Sequence, residues 1–193
     1  MRNWQALSCL APLLFILISS SSNTLDDTCK SVAARNKDIS YNYCILFFQA
    51  NNTSTTADKR GLVVIATKIT RAEAANTRER IDALMASGTD KKVNGCLSEC
   101  HVHYTIALNW LEAVAKGVES GNLQDAEVTL RGVISGIDTC EEGFRKLGIK
   151  SLLAAEDATI RQGCVNLANS SSYTSPGSSR SINKLFEPAI SDQ

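Results

Sequence analysis

Three side chains capable of ligand chemistry fall on one side of one predicted helix. Cys96, Cys100 and His103 are spaced i, i+4, i+7 and would share a face. Thiolates and an imidazole at that spacing could hold zinc, or Cys96 and His103 could serve as nucleophile and base. The rest of the chain argues against both. Cys100 has a better partner at Cys140, nothing positions a third orienting group, and the N-terminal segment points to a compartment that oxidises thiols. Cys96 therefore reads as a small buried apolar residue, with His101 and His103 partly solvated. The acids Glu141-Glu142 and Glu156-Asp157 are the other candidates, as paired carboxylates. Adjacent helical positions point about 100° apart, so neither pair converges on one substrate atom and both read as solvated faces. Trp110, close to Leu111 and Tyr104, reads as core. No Gly-rich phosphate loop, nucleophile elbow or His-Glu-x-x-His is present. The expectation is a non-enzyme with no catalytic residue, no metal and no cofactor.

The elements that must position these residues begin after an N-terminal apolar segment. Arg2, the apolar run Ala6 to Ile18 and the small residues Ser19 to Ser22 have the three-part layout of a signal peptide, assigned to residues 1–23. The run is shorter than the ~20 apolar residues that cross a bilayer. Its removal takes away Arg2 and Cys9. What remains has 19 basic residues (20 minus Arg2) against 20 acidic, and six cysteines (7 minus Cys9). Near-zero net charge argues against nucleic acid or an anionic membrane as partner. Six cysteines in an exported chain favour disulfides over thiolate metal sites. Sequons at Asn51, Asn52 and Asn169 sit in polar, turn-like stretches and mark expected glycosylation sites.

The expected fold is all-α: an N-terminal helical hairpin, residues 24–50, then an antiparallel up-down four-helix bundle, residues 51–168, stapled by disulfides. Asn36-Lys37-Asp38 divides the hairpin, and a Cys29–Cys44 bond would clamp it. A first bundle helix runs from about 57 to 87, with Leu62, Ile65, Ile69 and Ala72 on one face. Ser87-Gly88-Thr89-Asp90 supplies a stop and a start. The second bundle helix shows Cys96, Cys100, Tyr104, Ala107, Leu111, Val114 and Val118. Ser120-Gly121-Asn122 breaks it. The third carries Leu123, Ala126, Leu130, Val133, Ile137, Cys140 and Phe144, the cleanest amphipathic stripe in the chain. The fourth, from about 152 to 168, shows Leu153, Ile160, Cys164 and Leu167. Residues 169–193 are Ser-rich and are expected to form a disordered tail. The turn near Gly121 lies almost midway between Cys100 and Cys140, so antiparallel second and third helices would bring those two together. Cys164 falls on the apolar stripe as a buried thiol; a Cys96–Cys164 bond stays open at this level.

These residues together resemble the plant invertase and pectin methylesterase inhibitor family, including its pollen-allergen relatives. The resemblance rests on Thr28-Cys29, Tyr43-Cys44, Thr56-Ala57-Asp58 with Gly61-Leu62, and Cys100 with Tyr104 and Ala107. It continues through Gly121-Asn122 and Asp138-Thr139-Cys140-Glu141-Glu142-Gly143-Phe144. It implies the same hairpin and bundle, the pairings Cys29–Cys44 and Cys100–Cys140, and an unbonded Cys164. It also implies a secreted protein, in the apoplast, cell wall or vacuole, that inhibits a carbohydrate-processing enzyme by non-covalent occlusion of its active site. The target enzyme is the implied partner, with no membrane contact once the signal is cleaved. Asn109, Leu123 and Thr139 are the implied contact positions. Pectin methylesterase inhibitors of the family tend to carry acids just after the second helix's cysteine; here those positions read Val102, Ile106 and Asn109. Invertase inhibitors can carry Pro-Lys-Phe where this chain has Leu123-Gln124-Asp125. The alternative is an extracellular interaction protein of the same fold without inhibitory activity.

Overall fold

The computed structural model describes residues 24–121 and 123–171, without the side chains of 123–125, 127 and 169–171. The expected signal peptide and most of the expected tail therefore lie outside the described residues. Six helices follow one another: α1 Thr24–Arg35, α2 Tyr41–Gln49, α3 Lys59–Ala86, α4 Lys91–Ser120, α5 Leu123–Lys146 and α6 Ala154–Ser171. No strand occurs among the described residues. The last helix runs three residues past Ala168 and carries the backbone of Asn169 in its final turn.

Side chains that satisfy the first free N–H groups set the helix starts. Ser40 Oγ accepts from the N–H of Tyr43 at 3.1 Å to open α2. Asp58 Oδ1 accepts from Gly61 at 2.7 Å to open α3, and Asp90 accepts from Lys92 at 2.8 Å to open α4. Gly121 ends α4 in the left-handed region, at φ 83°. An L side chain there would press Cβ toward the following carbonyl, so glycine holds the reversal that sends α5 back along α4.

In the bundle, α4 packs between α3 and α5, and α6 closes the ring against α3 and α5. The α1–α2 hairpin lies against α3 and α6. Cys29 and Cys44 join its two helices with Cα atoms 5.5 Å apart. Tyr41 reinforces the hairpin by donating to Asp26 Oδ1 at 2.7 Å. Cys100 and Cys140 join α4 to α5 with Cα atoms 4.9 Å apart. Cys96 and Cys164 are both buried and unbonded, so no third disulfide forms.

The stripes read from spacing are largely the core. Tyr104, Leu111, Val114 and Val118 of α4 are at most 1 % exposed, as are Val133, Cys140 and Phe144 of α5. Three positions differ. Ala72 faces outward, and Thr70, Ala74 and Thr77 take that face of α3; the threonines bury their hydroxyls by donating to carbonyls four residues back. Trp110 is 40 % exposed rather than core. It sits one residue, about 100°, off the stripe that Leu111 marks. Asp157 is 2 % exposed rather than solvated, because the buried Tyr104 hydroxyl donates to its Oδ1 from α4.

The two disulfides close loops of different length, with sequence separations of 15 and 40 residues. Removing them separately should therefore cost different amounts. Urea denaturation of C29S/C44S should show a loss of about 3 kcal/mol and of C100S/C140S about 4 kcal/mol. A larger loss from the hairpin pair would mean that loop closure does not set their contribution.

Candidate interaction face

The exposed apolar side chains are not scattered. Eight large ones stand out among the described residues, and four of them, Val102, Ile106, Trp110 and Val128, belong to α4 and α5. Val102, Ile106 and Trp110 recur every four residues, which aligns them along one side of α4. Asn109 is exposed on the same side, just outside the groove beside it. On α5, Val128, Ser135 and Thr139 are exposed at spacings of seven and four and form the facing strip.

Between the strips runs a shallow groove of about 240 Å³, lined by His103, Ile106, Trp110, Gly132, Ser135 and Thr139 among others. Its floor depends on a missing side chain. A Cβ at Gly132 would stand 2.1 Å from Trp110 Cζ3, inside contact distance, so glycine lets the indole rest against α5. Gly143 does the same for Cys96, whose Sγ would be 2.7 Å from a Cβ there. Thr139 donates its hydroxyl to the Ser135 carbonyl at 2.9 Å, which leaves its methyl to the groove. Of the three contact positions that the resemblance implies, Thr139 lines the groove and Asn109 flanks it. Leu123 opens α5 and its side chain lies outside the described residues.

The candidate catalytic residues do not assemble. Cys100 is consumed by its disulfide. Cys96 lies against Gly143 and His103 against Gly136, about two turns apart on α4, so they form no nucleophile–base pair. Burial, followed by the nearby charges of Glu99 and Glu141, raises the Cys96 thiol above its ordinary range. Burial pushes Cys164 up to about 12. Thiols so disposed are poor nucleophiles. His101 faces Asp82 of α3 across 3.3 Å. No group of three or more His, Cys, Asp or Glu that could hold a metal ion occurs among the described residues. Glu142 is held by Arg145 on its own helix at 2.5 and 2.6 Å, and Glu156 by Arg80 of α3.

The signal for this face lies in the sequence, in the angular position of the apolar residues rather than in their type. A second apolar stripe, Val102-Ile106-Trp110, accompanies the core stripe of α4, and a helix with two apolar stripes has one left over after packing. Gly132 and Gly136, one turn apart on α5, marked where the neighbouring helix lies close.

Trp110 also reports on the groove, because the chain's other tryptophan, Trp4, lies in the expected signal peptide. In a protein beginning at Thr24, G132A should lift the indole off α5. Its emission should shift to the red and iodide quenching should increase, with helicity by circular dichroism unchanged. Unaltered emission would mean that the indole does not rest on Gly132.

Comparison with known proteins gives this face a context. The family model described as plant invertase/pectin methylesterase inhibitor matches residues 23–173. A Platanus acerifolia protein named "Putative invertase inhibitor" is 27% identical over 75% of this chain and 82% of its own length. "Pectinesterase inhibitor 1" of Arabidopsis thaliana is 22% identical over 80% of this chain and 87% of its own length. A crystal structure of a mutant form of a pectin methylesterase inhibitor from Arabidopsis shares the fold, with a TM-score of 0.64 and 20% identity over 79% of this chain and 97% of that one. These relatives are inhibitor proteins and not enzymes. With the hairpin, the bundle and a family match across all six helices, the chain belongs to the plant invertase/pectin methylesterase inhibitor family.

Proposed function

We propose that this protein is a secreted inhibitor that docks the α4–α5 face against the active-site cleft of a plant carbohydrate-processing enzyme, an invertase or a pectin methylesterase. It blocks the cleft without covalent chemistry. The observation that carries this reading is the exposed strip Val102-Ile106-Trp110 beside the groove it shares with α5. Contiguous apolar surface on a small domain marks a place where a partner excludes water. An exposed tryptophan with apolar neighbours is the composition of a binding hot spot. The disulfide across α4 and α5 supports it further, because a face ordered before binding loses little conformational entropy on docking. An interface of standard size would bury about 1,600 Å², enough to extend from the strip to Asn109, Leu123 and Thr139.

Export is consistent with the two disulfides, which persist in oxidising compartments. No helix among the described residues is long and apolar enough to cross a membrane. Glycans at Asn51 and Asn52 would sit on the connector between α2 and α3, clear of the α4–α5 groove. Asn51 Oδ1 accepts from both the N–H and the hydroxyl of Thr53, and Asn52 beside it is exposed. Asn169 is the third proposed acceptor. Val102, Ile106 and Asn109, standing where relatives tend to carry acids, favour a second reading: an extracellular interaction protein of the same fold without inhibitory activity.

Titration of the oxidised protein against one invertase and one pectin methylesterase, at acidic and neutral pH, separates these readings. Stoichiometric loss of one activity is expected. I106D and W110A should each raise the half-inhibitory concentration at least tenfold while leaving the circular dichroism spectrum unchanged. Full activity of both enzymes in excess inhibitor would favour the non-inhibitory reading.

A further inference from the structure

Two buried carboxylate oxygens on neighbouring helices lack a donor. Asp157 of α6 uses Oδ1 to accept from Tyr104, but its Oδ2 is sealed from solvent with no donor of its own. Glu141 of α5 has its Oε1 in the same condition. Helix α5 packs against α6, and Glu141 acts on Asp157 both as a hydrogen-bonding neighbour and through its charge. An ionised carboxylate only accepts, so two ionised groups facing each other would leave both oxygens unsatisfied and their charges opposed. One proton placed between them satisfies both at once.

We propose that Glu141 and Asp157 share a single proton in the folded protein, and that this acid–carboxylate bridge ties α5 to α6 and makes the bundle tighter in acid than at alkaline pH. The neighbouring cations leave room for it. Arg161 of α6 is paired with Asp138 of α5, and Arg80 of α3 with Glu156 of α6. Arg145 of α5 is held by Glu142. From α4 the bridge receives the Tyr104 hydroxyl, and Cys96 of the same helix stands near Glu141. Arg161 acts on Asp157 from a distance and favours its ionised form, but burial and the bond to Glu141 outweigh it. Burial first, then Glu141, pushes the Asp157 carboxyl up to about 8.

The direction of the pH effect follows. An unfolded Asp releases its proton near pH 3.9. Below about pH 4 both states hold the proton and the bridge adds no pH dependence. Between about 4 and 8 the folded state binds more protons than the unfolded one, so stability falls as pH rises. One retained proton corresponds to as much as a tenfold drop in the folding equilibrium constant per pH unit. Glu141 directly follows Cys140 and lies two residues from Thr139, so the bridge also steadies the α5 side of the groove. The proton-sharing itself does not depend on which enzyme is inhibited, or on whether one is.

The test is urea denaturation of the oxidised protein from pH 4 to 8.5, followed by circular dichroism, for the wild type and D157N. Asparagine keeps the shape, accepts from Tyr104, donates to Glu141 and holds no titrating proton. The wild-type folding constant should fall across this range, and D157N should lose about one proton's share of the slope. Equal slopes in the two proteins would overturn the proposal. Infrared spectroscopy of the folded wild type gives a second reading that does not need the variant to fold. A protonated-carboxyl band at pH 6 that disappears by pH 9, with helicity retained, supports the shared proton. Absence of that band at pH 6 refutes it.

Discussion

The distance between α4 and α5 governs most of what this protein presents to a partner. The Cys100–Cys140 bond sets it at one level, with Cα atoms 4.9 Å apart. Glycines maintain it on either side, at Gly132 under Trp110 and at Gly143 under Cys96. Helices in ordinary contact lie about 8–10 Å apart, with side chains interleaved between them. Here α5 gives up side chains along part of its contact, and α4 lays its own across the gap. An indole that would otherwise wedge the helices apart becomes the floor of a groove. The apolar strip is exposed as a consequence, because the side of α4 that carries it points past α5 rather than into the core.

The disulfides and the core divide the work between them. The α1–α2 hairpin is short, and short helices are marginal on their own, so Cys29–Cys44 and the Tyr41–Asp26 bond hold it ready to pack on α3 and α6. The bundle has its own apolar core, with Leu62, Ile81, Leu97, Leu111, Phe144, Leu153 and Ile160 fully buried. Its staple therefore fixes the relative placement of two helices more than it prevents collapse. A rigid face suits the proposed inhibition by occupying space. It needs no movement and no reactive group, in keeping with thiols that burial holds protonated.

Much of this was legible in the sequence because it is local or periodic. Steps of three and four identified the core stripe of α5, and Gly121 announced the reversal after α4. That reversal lies nearly midway between Cys100 and Cys140, so topology alone brought them level. The failures were of two kinds. Residue type marks Trp110 for the core, as a large aromatic, whereas its angular position about 100° off the stripe puts it outside. Asp157 could not be read locally at all. Its burial depends on a phenol 53 residues earlier and on a glutamate of another helix, and no spacing rule for one helix reports on either. Spacing within one helix compares only the adjacent acids of each pair, whereas the interacting carboxyls, Glu141 and Asp157, come one from each pair.

The most direct test of the account is a hydrogen–deuterium exchange footprint of the oxidised protein, alone and bound to the enzyme it titrates. The account predicts protection concentrated on the middle of α4, around residues 99–113, and on the facing part of α5, around residues 128–140. Protection confined to the α1–α2 hairpin or to α6, with the α4–α5 face exchanging as in the free protein, would contradict it.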